Sequence, residues 1–254
     1  MRILLVEDHL QYASLIGDKL ASTAGFDVSV RNSPEEASQL AQSEHFDVIV
    51  VDVLYRALSE SYNKKRLLAR GSLADLEPYN LSGLTVMGTA VQLPQPPALV
   101  IWTSGDSNRA LHLVLAHQEF GVRCFCSKES PIEHIVTAIR NASTGQSFAD
   151  VALRPFLPRR GLSSLGTLLF RDFKWRAVWR ALAAGSTSHE TTARMTHYDQ
   201  QTIRKCMSPM AHELAVLDPN INPSRHQLNQ LSSYAAYNWE FFLDRAVTEL
   251  YPLR

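Results

Sequence analysis

No apolar run in this chain approaches the twenty or so residues that a membrane-spanning helix needs. The longest, around Asp47–Val53 and Ala98–Trp102, have the length of strands. The opening Arg2-Ile3-Leu4-Leu5-Val6-Glu7-Asp8 lacks the length and cleavage site of a secretory leader, so a cytoplasmic protein with no membrane partner is expected. Cysteine is scarce. Cys124, Cys126 and Cys206 are odd in number and have no metal-ligand grouping, which argues against a disulfide framework and for small buried thiols. His189, His197, His212 and His226 lack the spacing of zinc ligands. There is no glycine-rich phosphate loop and no Ser/His/Asp arrangement in a recognisable context, so an independent enzyme is not expected. Internal repeats and low-complexity tracts are also missing.

Net charge is zero, but the balance is uneven along the chain. Residues 1–150 carry 12 Lys and Arg against 17 Asp and Glu, a net of −5, while residues 151–254 carry 13 against 8, a net of +5. An acidic half suggests cation chemistry, and a basic half suggests a polyanionic partner.

The acidic half alternates short apolar runs with helical patterns. Strands are expected at Ile3–Val6, Phe26–Val30, Asp47–Asp52, Ala98–Thr103 and Val122–Ser127. Between them lie amphipathic stretches, one with Leu10, Ala13, Ile16, Gly17 and Leu20 on one face. Ser33-Pro34-Glu35-Glu36 and Ser130-Pro131-Ile132-Glu133 have the composition of helix starts. This alternation predicts an α/β doubly wound, five-stranded parallel sheet with helices on both faces. The third and fourth strands stand about twice as far apart as one helix requires. The expected helix starts near Leu81, which leaves an insertion at about 55–80. Residues 1–146 form the first domain, and the Pro- and Gly-bearing stretch 147–165 reads as a linker. Residues 166–254 form an all-α domain, with a buried stripe of Phe170, Phe173, Val178, Ala181 and Leu182. Its last, additional helix spans about Ser224–Leu250 and carries Tyr234, Tyr237, Trp239, Phe241 and Phe242 as core or dimer contacts.

Five polar residues lie at strand ends. Glu7 and Asp8 follow the first strand, Asp52 ends the third, Thr103 ends the fourth and Lys128 follows the fifth. In a parallel sheet these ends share one edge, so the residues converge. Clustered carboxylates need a cation, and oxygen ligands with room for water suit Mg2+. A metal-held carboxylate beside a lysine and a hydroxyl can act as nucleophile toward a phosphoryl group, whose oxygens Thr103 and Lys128 would then bind.

Residues 1–54 and 81–142 resemble the receiver domain of two-component response regulators, a flavodoxin-like fold. The matching stretches are Ile3-Leu4-Leu5-Val6-Glu7-Asp8, Val48-Ile49-Val50-Val51-Asp52, Val100-Ile101-Trp102-Thr103-Ser104 and Phe125-Cys126-Ser127-Lys128. The resemblance implies Asp52 as phosphoacceptor, with Glu7, Asp8, Asp52 and the Leu54 carbonyl as Mg2+ ligands. It further implies a histidine kinase as partner, and a switch in which Thr103 approaches the phosphoryl group while Phe125 changes rotamer.

In the basic half, Ala183–Met195 reads as a helix end, a glycine turn and a second helix capped by Ser188. Asp199 then caps a third helix that opens Gln200-Gln201-Thr202-Ile203-Arg204-Lys205. Two short helices, the second opening with amide and basic side chains, suit the DNA major groove. The segment resembles the helix-turn-helix of NarL/LuxR-type regulators through Ala184-Gly185, Glu190, Ala193-Arg194-Met195 and Thr202-Ile203-Arg204. That likeness implies DNA contacts by Thr202, Arg204 and Lys205, beside the base-reading candidates Gln200 and Gln201. Three features depart from it: a turn one residue longer than usual, Thr191-Thr192 in place of an apolar residue, and Pro209, which should end the recognition helix near Met207. The expectation is a response regulator that binds double-stranded DNA as a homodimer and regulates transcription. The alternative is a phosphorylation-independent receiver that serves as a protein–protein interaction module.

Overall fold

A computed structural model describes residues 1–55, 73 and 80–253 of the chain. The expected insertion therefore lies outside the described residues, apart from Tyr55, Leu73 and Asn80. The chain divides into two compact units. The described part of the first is 1–55 with 80–160, and that of the second is 161–253 with Leu73. No helix among the described residues is long and apolar enough to cross a membrane.

The first unit is a parallel sheet in the order β2-β1-β3-β4-β5-β6. Its strands are β1 (Arg2–Val6), β2 (Asp27–Arg31), β3 (Val48–Val51), β4 (Ala98–Thr103), β5 (Cys124–Ser127) and β6 (Phe148–Ala149). Five strands stand where the hydrophobic runs place them, to within one or two residues. The helices are α1 (Leu10–Ala24), α2 (Pro34–Ser43), α3 (Leu84–Ala90), α4 (Ala110–Glu119) and α5 (Ile132–Ser143). Because side chains alternate along a strand, Ile3, Leu5, Val48, Val50, Val100, Trp102, Cys124 and Cys126 share one face. There they bury Ile16 and Leu20 of α1 and Ile135 and Ile139 of α5. Ser33 caps α2 by accepting from the Glu36 amide, whereas α5 starts after Pro131 with no side-chain cap.

The sixth strand corrects the five-strand expectation and shortens the linker expected at 147–165. The outer edge of β5 leaves the Arg123 and Phe125 carbonyls to be satisfied, and the Phe148 and Asp150 amides donate to them at 3.1 and 2.9 Å. A further helical turn, Arg154–Phe156, follows within the same unit. A two-residue strand has too little length for a hydrophobic period to reveal it.

The second unit is all helical: α6 (Leu165–Leu168), α7 (Phe173–Ala183), α8 (His189–Thr196), α9 (Gln200–Leu217), α10 (Gln227–Tyr237), α11 (Trp239–Leu243) and α12 (Arg245–Leu250). Three expectations need correction. Asp172 caps the Lys174 amide and starts α7 there, which turns Phe173 outward from the expected buried stripe. Pro209 does not end the helix that opens at Gln200, contrary to the expected stop near Met207. It is exposed, so water can reach the Lys205 carbonyl that lacks an amide donor, and buried Met207, Met210, Ala211 and Leu214 hold α9 on both sides of it. The single last helix is instead three, broken at Asn238 and at Asp244, where the Asp244 carboxylate caps the Ala246 amide.

Those last helices belong to the core. Trp179 stacks on Phe242 with ring centroids 4.8 Å apart, and Phe170 stacks on Tyr251 at 4.3 Å. Arg176 and Arg180 of α7 donate to the carbonyls of Pro252 and Tyr251 at 2.8 and 2.6 Å. Burial, then the neighbouring Arg176 charge, lowers the Arg180 pKa to about 10. Leu73, only 8% exposed, packs with Ala177, Ala181 and Met195, and Ala184, Tyr198 and Leu253 pack against this cluster.

Candidate phosphoryl-transfer and nucleic-acid sites

The C-terminal strand ends of the first unit bring together Glu7, Asp8, Asp52, Thr103 and Lys128. Carboxylate oxygens of Glu7, Asp8 and Asp52 lie within 4.8 Å of one another. Glu7 and Asp52 are only 2% and 3% exposed, and Thr103 is fully buried. The three acids are held differently. The His9 amide donates to Glu7 Oε1 at 3.2 Å, the Val53 amide donates to Asp52 Oδ1 at 2.6 Å, and Asp8 is half-buried at the rim. Thr103 Oγ1 donates to Asp52 Oδ1 at 2.7 Å. Lys128 Nζ donates to Asp52 Oδ2 at 2.6 Å and to the Glu7 carboxylate, so one ammonium bridges two acids.

The charges are strained accordingly. Burial, then the Asp52 carboxylate, pushes the Glu7 pKa up to about 7, against the pull of Lys128. Burial also works against the Lys128 charge, but Asp52 and Glu7 outweigh it and hold its pKa above the usual lysine value. A second cation at these acids would relieve the same repulsion. The donors are all carboxylate oxygens, which fit a hard divalent ion.

A bridge follows Asp52 beside the pocket. Leu54 forms an antiparallel bridge with Ser82, in which the Tyr55 amide donates to the Leu81 carbonyl and the Gly83 amide to the Val53 carbonyl. The bridge leaves out the Leu54 carbonyl, the expected fourth ligand. Gly83 sits so close that an added Cβ would fall far inside contact distance of the Asp52 carbonyl oxygen. Asn80 donates to Glu35 Oε1 at 2.5 Å and accepts from Thr85 Oγ1, which pins the chain where it returns to the sheet. Phe125 is buried, with its ring 6.3 Å from that of His117.

Sequence reasoning missed an aromatic pair beside the pocket. Tyr12 of α1 and Trp102 of β4 stack with centroids 5.2 Å apart and planes 21° apart. Lys128 Nζ lies over both rings, 5.2 Å from the Trp102 centroid and 5.9 Å from that of Tyr12. The available signal was parity: Trp102 and Lys128 continue the strand positions that face α1.

In the second unit, α8 and α9 are consecutive helices joined by 197–199, with His197 in the left-handed region. Ser188 and Asp199 cap the two helices as expected, accepting from the Thr191 and Thr202 amides. Thr192 is fully buried, and its hydroxyl is satisfied by Ser186 Oγ at 2.8 Å and the Ser188 carbonyl at 2.7 Å. Gln200, Gln201, Arg204 and Lys205 are exposed at the start of α9, while Ile203 is fully buried beneath them. Thr202 differs from the other candidates. It is half-buried, and its hydroxyl donates to Asp199 Oδ2 at 2.7 Å as part of the cap.

No protein-family model and no curated protein matches the chain. Among solved structures, it is similar to a Francisella response regulator receiver domain at 17% identity and TM-score 0.41, covering 57% of this chain and 97% of that one. A receiver domain of a putative LuxO repressor protein from Vibrio parahaemolyticus matches at 19% identity and TM-score 0.41, covering 57% and 90%. The response regulator ChrA of a heme-sensing two-component system matches at 15% identity and TM-score 0.43, covering 93% and 98%. The assignment of the fold rests on the strand order and strand-end residues of the chain itself.

Proposed function

We propose that the chain is a response regulator whose first unit accepts a phosphoryl group on Asp52 from a histidine kinase and whose second unit binds DNA. The observation that carries this reading is the convergence of Glu7, Asp8, Asp52, Thr103 and Lys128 at one sheet edge. An Asp52 oxygen attacks phosphorus, the bond to the donor nitrogen or oxygen breaks, and the leaving group departs with its electron pair. Bound Mg2+, held by Glu7, Asp8, Asp52 and the Leu54 carbonyl, would balance charge on the transferring oxygens. Thr103 and Lys128 already donate to Asp52. On transfer, these donors turn to the phosphoryl oxygens, and that movement is the origin of the Thr103–Phe125 switch. Turnover at its own aspartate is the only chemistry proposed, and the setting is a cytoplasmic transcription regulator acting as a homodimer.

For the second unit, Gln200, Gln201, Arg204 and Lys205 form an exposed, cationic helix opening suited to the major groove of double-stranded DNA. Retardation of genomic fragments that weakens with salt and with Arg204→Ala is the expected result. Indifference to both would count against DNA reading.

A second reading is favoured by how fully Asp52 is engaged: it is 3% exposed, with donors on both carboxylate oxygens. In that reading the first unit is a phosphorylation-independent interaction module. Acetyl phosphate with Mg2+, followed by a phosphate-affinity gel, separates the two. A shifted band that is absent in Asp52→Asn supports phosphorylation, and no band while a control receiver reacts supports the alternative.

A further inference from the structure

We infer that the stacked Tyr12–Trp102 pair is a positioning element for Lys128, an aromatic shelf that holds its ammonium over the phosphoacceptor. The inference rests on the phosphoryl-transfer reading for its purpose, but not for its geometry.

The shelf follows from strand parity. Val48, Val50, Val100, Cys124 and Cys126 lie on the face covered by α1 and α5. One further step of two along each strand brings Asp52, Trp102 and Lys128 to that same side at the C-terminal edge. Val51 pairs with Ile101 and Trp102 pairs with Cys126, so Trp102 stands on the central strand between the acid and the lysine. Tyr12 enters from the first turn of α1 and stacks on Trp102.

Lysine brings a problem that the shelf answers. Its ammonium is a point charge on a flexible four-carbon stem, able to pair with either acid or to swing into solvent. The Lys128 side chain is 16% exposed, so part of its hydration is already lost. Two π faces at 5.2 and 5.9 Å replace some of that hydration without supplying another anion. In that position the ammonium donates to both Asp52 and Glu7. A carboxylate at the same place would hold the ammonium more tightly but would compete with the phosphoryl oxygens. Aromatic faces hold it and let it transfer.

The test uses the full chain. Reductive methylation of Lys128, followed by peptide mass spectrometry, should be about fivefold faster in Trp102→Leu and in Tyr12→Leu than in the parent. Trp102→Phe and Tyr12→Phe, which keep a π face, should stay within about twofold of it. The Leu variants should bind beryllofluoride with Mg2+ about fivefold more weakly, again with rescue by Phe. Should Trp102→Leu fail to fold, the Tyr12 pair, at a half-buried position, decides the matter. Unchanged Lys128 reactivity in the Leu variants overturns the inference, as does equal loss in the Leu and Phe variants, which would mark a packing role alone. If the parent does not bind beryllofluoride, the phosphoryl-transfer reading fails, and the methylation comparison still judges the shelf.

Discussion

The two candidate sites are built in opposite ways. In the first unit, Glu7, Asp52, Thr103 and Lys128 are drawn from positions 7 to 128, nearly enclosed, and each is bonded to another member. In the second, the outward residues lie within six consecutive positions, Gln200 to Lys205, and four of them face solvent. The pocket depends on the sheet register, because a displacement of one strand end breaks several bonds together. The helix surface depends on one cap and one buried stripe, so its side chains can change singly. A nucleophile needs fixed distances, whereas a groove-reading helix needs a charged face and a firm foundation.

Asp52→Asn breaks the comparison at its centre. It should abolish the phosphate-affinity band altogether while leaving salt-dependent DNA retardation by the unmodified protein in place. Loss of both together would show that the sites are not separable. Gly83→Ala should have the next largest effect, because the added methyl meets the Asp52 carbonyl with no flexible side chain to yield. We expect a loss of about 3 kcal/mol or more in urea unfolding, with phosphorylation reduced in the remaining folded protein.

A pH effect sharpens the contrast between enclosed and open groups. Burial, then the Arg109 guanidinium, pushes fully buried His112 of α4 down to about 3, from an ordinary value near 6.5. Between pH 3 and 6.5 the unfolded chain therefore binds more protons at this position than the folded one. The stability His112 contributes is intact above pH 6.5 and declines as pH falls through that window, by up to about 1.4 kcal/mol per pH unit. His112→Gln should flatten the slope in urea titrations at pH 7, 6 and 5. A slope unchanged by the substitution would refute this account.

Smaller effects are expected on the helix surface. Arg204→Ala and Lys205→Ala should each weaken DNA binding by about tenfold or less, and each should reduce the salt slope by about 1 if the side chain meets a phosphate. Thr192→Val should cost about 1 kcal/mol by leaving the Ser186 hydroxyl without that partner, measurable by thermal unfolding. An equal cost from an exposed position such as Gln201→Ala would erase the distinction drawn between the two sites.

What could be read from the sequence follows the same division. Strand-end polar residues are visible because a parallel sheet sends every C-terminal end to one edge, so Glu7, Asp8, Asp52, Thr103 and Lys128 need no knowledge of packing. Caps are visible because Ser188 and Asp199 act within three residues of themselves. Tyr12 and Trp102 are not, since their meeting depends on how α1 approaches β4. Pro209 misleads because packing of α9 overrides a local breaker, and the last helix misleads because Asn238 and Asp244 interrupt a continuous apolar pattern. The two residues of β6 are too few for any period, and only the open edge of β5 explains them.

Leu73 has a consequence for how such a chain can be recombined. In sequence it falls within the stretch that interrupts the first unit, yet it is buried with Ala177, Ala181 and Met195 of the second. A crossover at residue 160 would therefore not exchange whole modules. The helical half transplanted behind a different sheet would lose the leucine that packs on Ala177, Ala181 and Met195, and the donor half would keep a leucine without its seat. Among the described residues, Leu73 ties the inheritance of the two units together, because it lies outside the half that it completes.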